Sequence, residues 1–280
     1  MKRITLTMVA AALALVAGCS GEGKPDASSK PRIALIYKAT TNPFFQAMEQ
    51  GARAKAREMN VDLEVAGIES ETDADRQADL VRSMLGRKVQ AIIIAPASSV
   101  GIVTPLLRAQ EAKVPIINID NRINKEEAAK QGLKVATFIG PDNFEGAKRV
   151  GLCACDIVKK KLAAGQSGKV LILRGIDGVE NAEARRAGFE AAVKARGKLG
   201  EIVIVGYDNI DLAREAMARG EMQATVEQNP AMMGARGVEC ALAALNGAAL
   251  PEVTPVPTQL IAPDDLKGGA PKAPPKSGSG

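Results

Sequence analysis

The stretch RIALIYKATTNPFFQAMEQGARAKA, residues 32–56, contains the pattern that decides the fold. An apolar, β-branched run at 32–37 leads into a short polar loop and then into an Ala-rich amphipathic segment at 44–59. Asn42 suits the N-cap of a helix and Pro43 suits its first position. The stretch therefore predicts a strand, a turn and a helix, as at the start of a βαβ unit.

The same alternation continues along the chain. Further β-rich runs fall at 61–67, 91–96, 115–120, 135–140, 169–175, 201–208 and 222–228. Ala-rich amphipathic segments lie between most of them, at 73–86, 100–112, 144–163, 180–196, 211–219 and 231–246. Apolar strands that alternate with helices indicate parallel sheets covered on both faces. The GPDN turn at 140–143 separates two series of strands. Eight strands could form one sheet, but two open sheets fit better. We therefore predict an α/β protein with two doubly wound parallel-sheet lobes.

The composition and the charge pattern exclude several classes of function. The chain is 46% hydrophobic and 25% charged, as expected of a globular protein. The net charge is +5, but basic and acidic residues are interspersed, and the longest basic run, 159–161, fits a solvated helix face better than a nucleic-acid surface. The chain contains no His, so we predict no metal site. We also predict no cofactor. We expect three further cysteines to be small buried residues, at Cys153, Cys155 and Cys240. A disulfide from Cys240 to either of the others stays open.

The N-terminus predicts export. Lys2 and Arg3 precede an apolar stretch at 4–17 that is too short to span a bilayer stably, and small residues lead into Cys19. This ending resembles a bacterial lipobox, in which the signal is cut before the Cys and the thiol is diacylated. We therefore predict a membrane-anchored lipoprotein that faces the periplasm or the cell exterior and is held in the lipid bilayer by acylated Cys19.

The predicted strand ends carry polar side chains. In an open parallel sheet, ligands bind beyond the carboxyl ends of the strands. Amide, carboxylate and guanidinium groups there suit the alternating donors and acceptors of a polyol. The candidate ligand residues are Asn42, Asp120, Asn121, Asn181, Arg185, Asp208 and Gln228.

Phe44 and Phe45 stand side by side in a chain with only five Phe, two Tyr and no Trp. Adjacent helical residues diverge by about 100°, so we expect one ring to pack inward while the other faces the cleft. A ring in the cleft would offer an apolar face to the C–H side of a sugar. A hydrophobic staple without a ligand role is the alternative.

Six motifs together resemble the type I periplasmic sugar-binding proteins, the ribose-binding-protein-like branch of the ABC importers. They are TTNPFFQAMEQGARAKA, PIINIDN, IGPDNFEGAKRVG, RRAGFEAAV, IVIVGYDN and ATVEQNP, and the likeness covers residues 33–261. The resemblance implies two lobes that close on a monosaccharide and then dock on an ABC permease. It implies three hinge crossings, near 140–143, 228–229 and 258–261.

The resemblance carries over to individual residues. Asn42, Phe44 and Phe45 match first-lobe contacts, and Asp120 matches a carboxylate that accepts two sugar hydroxyls. The remaining matches are a second-lobe arginine, a contact amide, a carboxylate and a hinge amide, at Arg185, Asn181, Asp208 and Gln228. Asn121 stands where the ribose binder has Arg, so ribose is not assured.

The sequence departs from the family pattern after AGFEAAV. The family continues with two βα units, whereas here KARGKLGEIVIVGYDN follows at once. About 50 residues, at about 25–30 per unit, are missing. Two ligand contacts are lost with them, so we expect weakened or absent sugar binding.

These observations predict a division of the chain. A signal peptide at 1–18 is followed by a flexible tether at 19–31. The first lobe spans 32–140, and part of 229–258 packs onto it by crossover; the shortened second lobe spans 141–228. A return helix and last hinge strand follow at 229–266, and the tail at 267–280 is expected to be disordered.

Three alternatives to an importer receptor differ in class. An enzyme is disfavoured because no G-x-G-x-x-G follows the first strand and no His is present. A repressor would need a helix-turn-helix where the export signal lies. A receptor for chemotaxis or signalling, including one for a non-sugar polyol or an autoinducer, stays open, as does a deletion variant that has lost binding.

Overall fold

The computed structural model describes residues 30–161, 172, 176, 179–196 and 204–266. The predicted signal peptide, Cys19 and the tail at 267–280 lie outside the described residues. The predicted strand at 169–175 also lies outside them, except for Ile172.

The chain alternates between strands and helices. The strands are β1 (Arg32–Tyr37), β2 (Asp62–Gly67), β3 (Ala91–Ile94), β4 (Ile116–Ile119), β5 (Thr137–Gly140), β6 (Thr225–Glu227), β7 (Val253–Pro255) and β8 (Gln259–Ile261). The helices are α1 (Pro43–Glu58), α2 (Ala74–Gly86), α3 (Val103–Glu111), α4 (Lys125–Gln131), α5 (Asn143–Lys161), α6 (Glu180–Arg196), α7 (Asp211–Ala218), α8 (Pro230–Leu245) and α9 (Pro263–Leu266).

Six strands form one parallel sheet, in the order β2-β1-β3-β4-β5-β7. We call this sheet and its helices the first lobe. Alternate residues of β1 face opposite sides of the sheet, as the pleat requires. Ile33 and Leu35 pack in a core with α1 and α8, and Ala34 and Ile36 pack in a second core with α2 and α3. Because β1 pairs with β2 on one side and with β3 on the other, the strand order reverses at β1, and ligands bind at such switch points.

The second lobe is built around β6, with α5, α6 and α7. Residues 204–208 run beside β6, where Val205 forms a parallel bridge to Ala224 and the Asp208 N–H donates to the Val226 carbonyl at 2.9 Å. The predicted runs at 201–208 and 222–228 thus lie side by side over their described residues. The pair β6–β8 is antiparallel, because the chain re-enters this lobe from the opposite direction after β7 in the first sheet.

Sequence patterns missed three short elements. Helix α4 has only seven residues, although Asn124 caps it by accepting from the Glu127 N–H at 2.8 Å and Gly132 ends it at φ 73°. Strand β7 ends in Pro255 and forms the sheet edge, where proline is tolerated. Helix α9 spans only four residues. Elements this short carry too little periodicity to be detected.

The cysteines answer the disulfide question. Cys240 is a buried thiol in the core between β1, α1 and α8, and Cys153 is a thiol on α5 in the second lobe. The disulfide from Cys240 that the sequence left open is therefore not present. Among the described residues, no helix is both long and apolar enough to cross a membrane.

Candidate functional site

Asp120 lies at the centre of the candidate site, directly after β4. Its backbone is in the left-handed region at φ 60°, and its N–H donates to the Ile139 carbonyl at 3.0 Å. The side chain is buried, and this burial raises the pKa of Asp120 to about 6. Lys38 and Arg185 oppose the rise, whereas Asp208 and Glu71 add to it. Charges of both signs, from loops of both lobes and from α6, therefore act on one carboxyl group.

Lys38 supplies a second buried charge on the first-lobe side. It follows β1 directly and is only 3% exposed. Its Nζ lies 3.4 Å from Glu71 Oε2 and 5.9 Å from the centroid of the Phe45 ring. A buried ammonium requires such partners. The strand-end pattern could have indicated Lys38, but its partner Glu71 belongs to a different loop, which no local pattern connects to it.

Arg185 organises the second-lobe side from α6. Its Nε donates to Asn143 Oδ1 at 2.8 Å, and its Nη2 donates to Gln228 Oε1 at 3.1 Å. The Cζ atom lies 4.1 Å from the centroid of the Tyr207 ring. A planar guanidinium held by two acceptors and an aromatic face has little freedom to reorient. Sequence reasoning missed Asn143 and Tyr207 because both act on the site indirectly, by holding Arg185 in place.

Asp208 and Gln228 complete this side. Gln228 Nε2 donates to Asp208 Oδ1, and the same oxygen lies 3.9 Å from Arg185 Nη2. Asp208 has φ 83°, a backbone conformation that is uncommon outside glycine. The structure thus joins Arg185, Asp208 and Gln228 into one network, which acts electrostatically on Asp120 through its two charged members.

Asn181 lies beside the network, in the first turn of α6. It lines a cavity of about 400 Å³ together with Asp120, Asn143 and Phe144. This cavity brings residues of both lobes to one space, since Asp120 follows β4 and Asn181 belongs to α6. Its volume lies within the range of small-molecule sites.

Both phenylalanine rings are buried. Phe44 and Phe45 are each 3% exposed and contact each other edge to face, with centroids 5.1 Å apart. Phe45 also stacks with Tyr37, at a centroid distance of 6.0 Å. The expectation that one ring would present a face to the cleft is therefore wrong for this structure: the core beneath α1 takes up both rings. Phe45 contacts the site through Lys38.

Asn42 and Asn121 both have structural partners. Asn42 caps α1, accepting from the Phe44 N–H at 2.9 Å, and its Nδ2 lies 3.5 Å from Glu71 Oε1. Asn121 is fully buried, and its Nδ2 donates to the Pro96 carbonyl at 3.0 Å. Asn121 thus ties the loop after β4 to the loop after β3.

Two α/β units with convergent polar strand ends and a cavity between them define a two-lobed ligand receptor. Residues 33–195 match the periplasmic binding protein domain. The chain belongs to this family, whose members are solute receptors and not enzymes.

Named relatives agree with this assignment. The chain is 30% identical to the D-ribose/D-allose-binding protein of Pseudomonas aeruginosa, over 88% of this chain and 93% of that protein. It is 26% identical to the ribose import binding protein of Escherichia coli K12, over 93% of this chain and 98% of that protein. A solved ABC transporter periplasmic solute-binding protein from Actinobacillus succinogenes 130Z, with bound D-allose, superposes with a TM-score of 0.76 at 27% identity, over 85% of this chain and 99% of that one.

The alignments also bear on chain length. The alignment with the E. coli protein runs over 313 positions, more than the 280 residues of the whole chain. Part of that alignment must therefore consist of gaps in this chain. This agrees with the internal deletion predicted from the abrupt change after AGFEAAV.

Proposed function

We propose that the protein is an extracytoplasmic solute-binding protein that captures a monosaccharide between its lobes and delivers it to an ABC-type permease. The proposal is supported by the network of Arg185, Asp208 and Gln228 in the second lobe, whose two charged members act electrostatically on the buried Asp120 carboxyl of the first lobe. Carboxylates accept from sugar hydroxyls while the guanidinium and amide donate to them, so the two sides together satisfy a polyol.

Lys38, Asn42, Asn181 and Phe45 belong to the proposed site in different ways. The Lys38 ammonium and the Asn181 amide act as hydrogen-bond donors near Asp120. Asn42 shares Glu71 with Lys38 and fixes the first turn of α1, and Phe45 supports the Lys38 ammonium. Binding shifts an equilibrium between open and closed lobes, and the permease reads the closed form.

The missing βα units limit affinity. They would supply two further ligand contacts, so the dissociation constant for a matching sugar should be higher than about 1 μM. D-Allose and D-ribose are the first ligands to test, since named relatives bind them. Isothermal titration should show weak, saturable heat with one of them and none with Asp120→Ala. Saturable binding that survives Asp120→Ala would overturn this site, and no binding to any pentose or hexose would overturn sugar capture.

The lipid anchor is a separate part of the proposal. Its support is the lipobox-like LVAGC sequence at 15–19, which places Cys19 at the cleavage point. When the full chain is expressed in a bacterium, it should appear in the membrane fraction and carry acyl groups detectable by mass spectrometry. Cys19→Ser should release the protein into the soluble extracytoplasmic fraction, whereas Cys153→Ser should leave it in the membrane. Equal fractionation of both variants would contradict the anchor.

A further inference from the structure

An ion pair joins the two lobes beside the proposed sugar site. Arg122 lies in the loop after β4 of the first lobe, and Glu180 begins α6 of the second lobe. Arg122 Nε is 3.5 Å from Glu180 Oε1. Arg122 Cζ also lies 3.8 Å from the centroid of the Phe138 ring, which places the guanidinium against the first-lobe sheet. The ion pair can therefore form only when the lobes are close enough for the loop after β4 to meet the start of α6.

The neighbours of this pair connect it to binding. Arg122 is two residues after Asp120, and Glu180 directly precedes Asn181. All four residues line the same cavity. Contact between Arg122 and Glu180 therefore brings Asp120 and Asn181, one from each lobe, into register across the space that a ligand would occupy.

We propose that Arg122 and Glu180 are positioning residues that set ligand affinity by holding the lobes closed. This inference rests on the proposed function. A protein whose binding-competent closed form is partly populated loses apparent affinity in proportion to that population. Both side chains are partly exposed, Arg122 by 23% and Glu180 by 49%, so the pair makes a modest contribution.

Glu180→Gln tests the pair, and the chain offers a matched control. Glu190 lies on the same helix and pairs with Arg186 at 2.8 Å, within one lobe. Glu180→Gln should weaken D-allose binding up to about fivefold, which corresponds to about 1 kcal/mol. It should also increase the radius of gyration of the sugar-free protein in X-ray solution scattering. Glu190→Gln, with the same loss of charge, should change neither quantity.

A double-mutant cycle separates coupling from two independent effects. If the pair acts as a unit, Arg122→Gln combined with Glu180→Gln should weaken binding no more than the stronger single change. Additive losses, or a Glu180→Gln variant that behaves like Glu190→Gln in both affinity and radius of gyration, would overturn the proposal. If the wild-type protein binds no D-allose, the proposed function is wrong for that sugar, and the radius of gyration alone then decides whether the pair closes the lobes.

Discussion

Ionised Asp120 lowers the stability of the folded protein, although the proposed sugar site uses its carboxylate. Its raised pKa means that ionising the carboxyl costs more in the folded protein than in the unfolded chain. The contribution to stability is therefore fully present below pH 3.8, the unfolded value, and is lost as the pH rises through about 6. In the proposed site this cost has a function, because an ionised carboxylate would accept hydrogen bonds from sugar hydroxyls.

Asp120→Asn should therefore stabilise the protein at pH 8 by about 2–3 kcal/mol and change it little at pH 4. The same change should abolish the binding proposed above. Denaturant unfolding at the two pH values measures the difference. Asp79→Asn, which removes an exposed carboxyl on α2, is the control variant. An equal effect of Asp120→Asn at both pH values would contradict the assignment of this cost to ionisation.

Arg185→Lys tests the geometry of the second-lobe network. Lysine keeps the charge but cannot donate in a planar fork to Asn143 and Gln228, nor stack as a flat group on Tyr207. We expect at least about a tenfold loss of sugar affinity, which corresponds to about 1.4 kcal/mol. Titration calorimetry provides the measurement, and Arg186→Lys, next along α6, is the control. Unchanged affinity in Arg185→Lys would mean that only the charge matters.

Sequence alone identified part of this site. Asp120, Asp208 and Gln228 were predicted because each follows a recognisable strand, and polar residues at the carboxyl ends of such strands line the ligand cleft of an open α/β sheet. The burial of both Phe44 and Phe45 could not be predicted, because it depends on how α1 packs against β1 and α8. Lys38 was not predicted as a site residue because a lysine at a strand end is usually solvated. The burial of Lys38 requires Glu71, which belongs to another loop.

At the scale of elements, α1 and α8 pack through glycines. A Cβ added at Gly234 would lie 1.9 Å from the Met48 carbonyl oxygen, and one added at Gly51 would lie 2.0 Å from the Ala231 carbonyl oxygen. The two helices therefore approach backbone to backbone, and this brings α8, after its return from the second lobe, tightly onto the first. Residues far apart in sequence thus form one core.

Gly234→Ala should destabilise the protein by about 3 kcal/mol, because the new methyl group would force the two helices apart. Gly86→Ala is the control: nothing lies within 4 Å of its added Cβ at the end of α2, so stability should change by no more than about 0.5 kcal/mol. Thermal unfolding of the two variants provides the comparison. A Gly234→Ala variant as stable as the wild-type protein would show that α1 and α8 are less closely packed than described.

At the scale of the molecule, the family and the α/β class followed from the order of motifs along the chain. The repeated alternation of apolar runs and amphipathic segments predicted the parallel sheet, and strands β1 to β5 confirm it. The antiparallel pair β6–β8 was not predicted, because its direction depends on how the chain returns after β7. Local patterns report the type of an element more clearly than its partner in space.

The central claim is that a sugar is held between Asp120 of one lobe and the Arg185 network of the other. A crystal structure of the protein grown with saturating D-allose or D-ribose tests it most directly. We predict sugar density within hydrogen-bonding distance of both Asp120 and Arg185. Lobes that stand apart with no sugar between these two residues, or a sugar bound elsewhere, would contradict the claim.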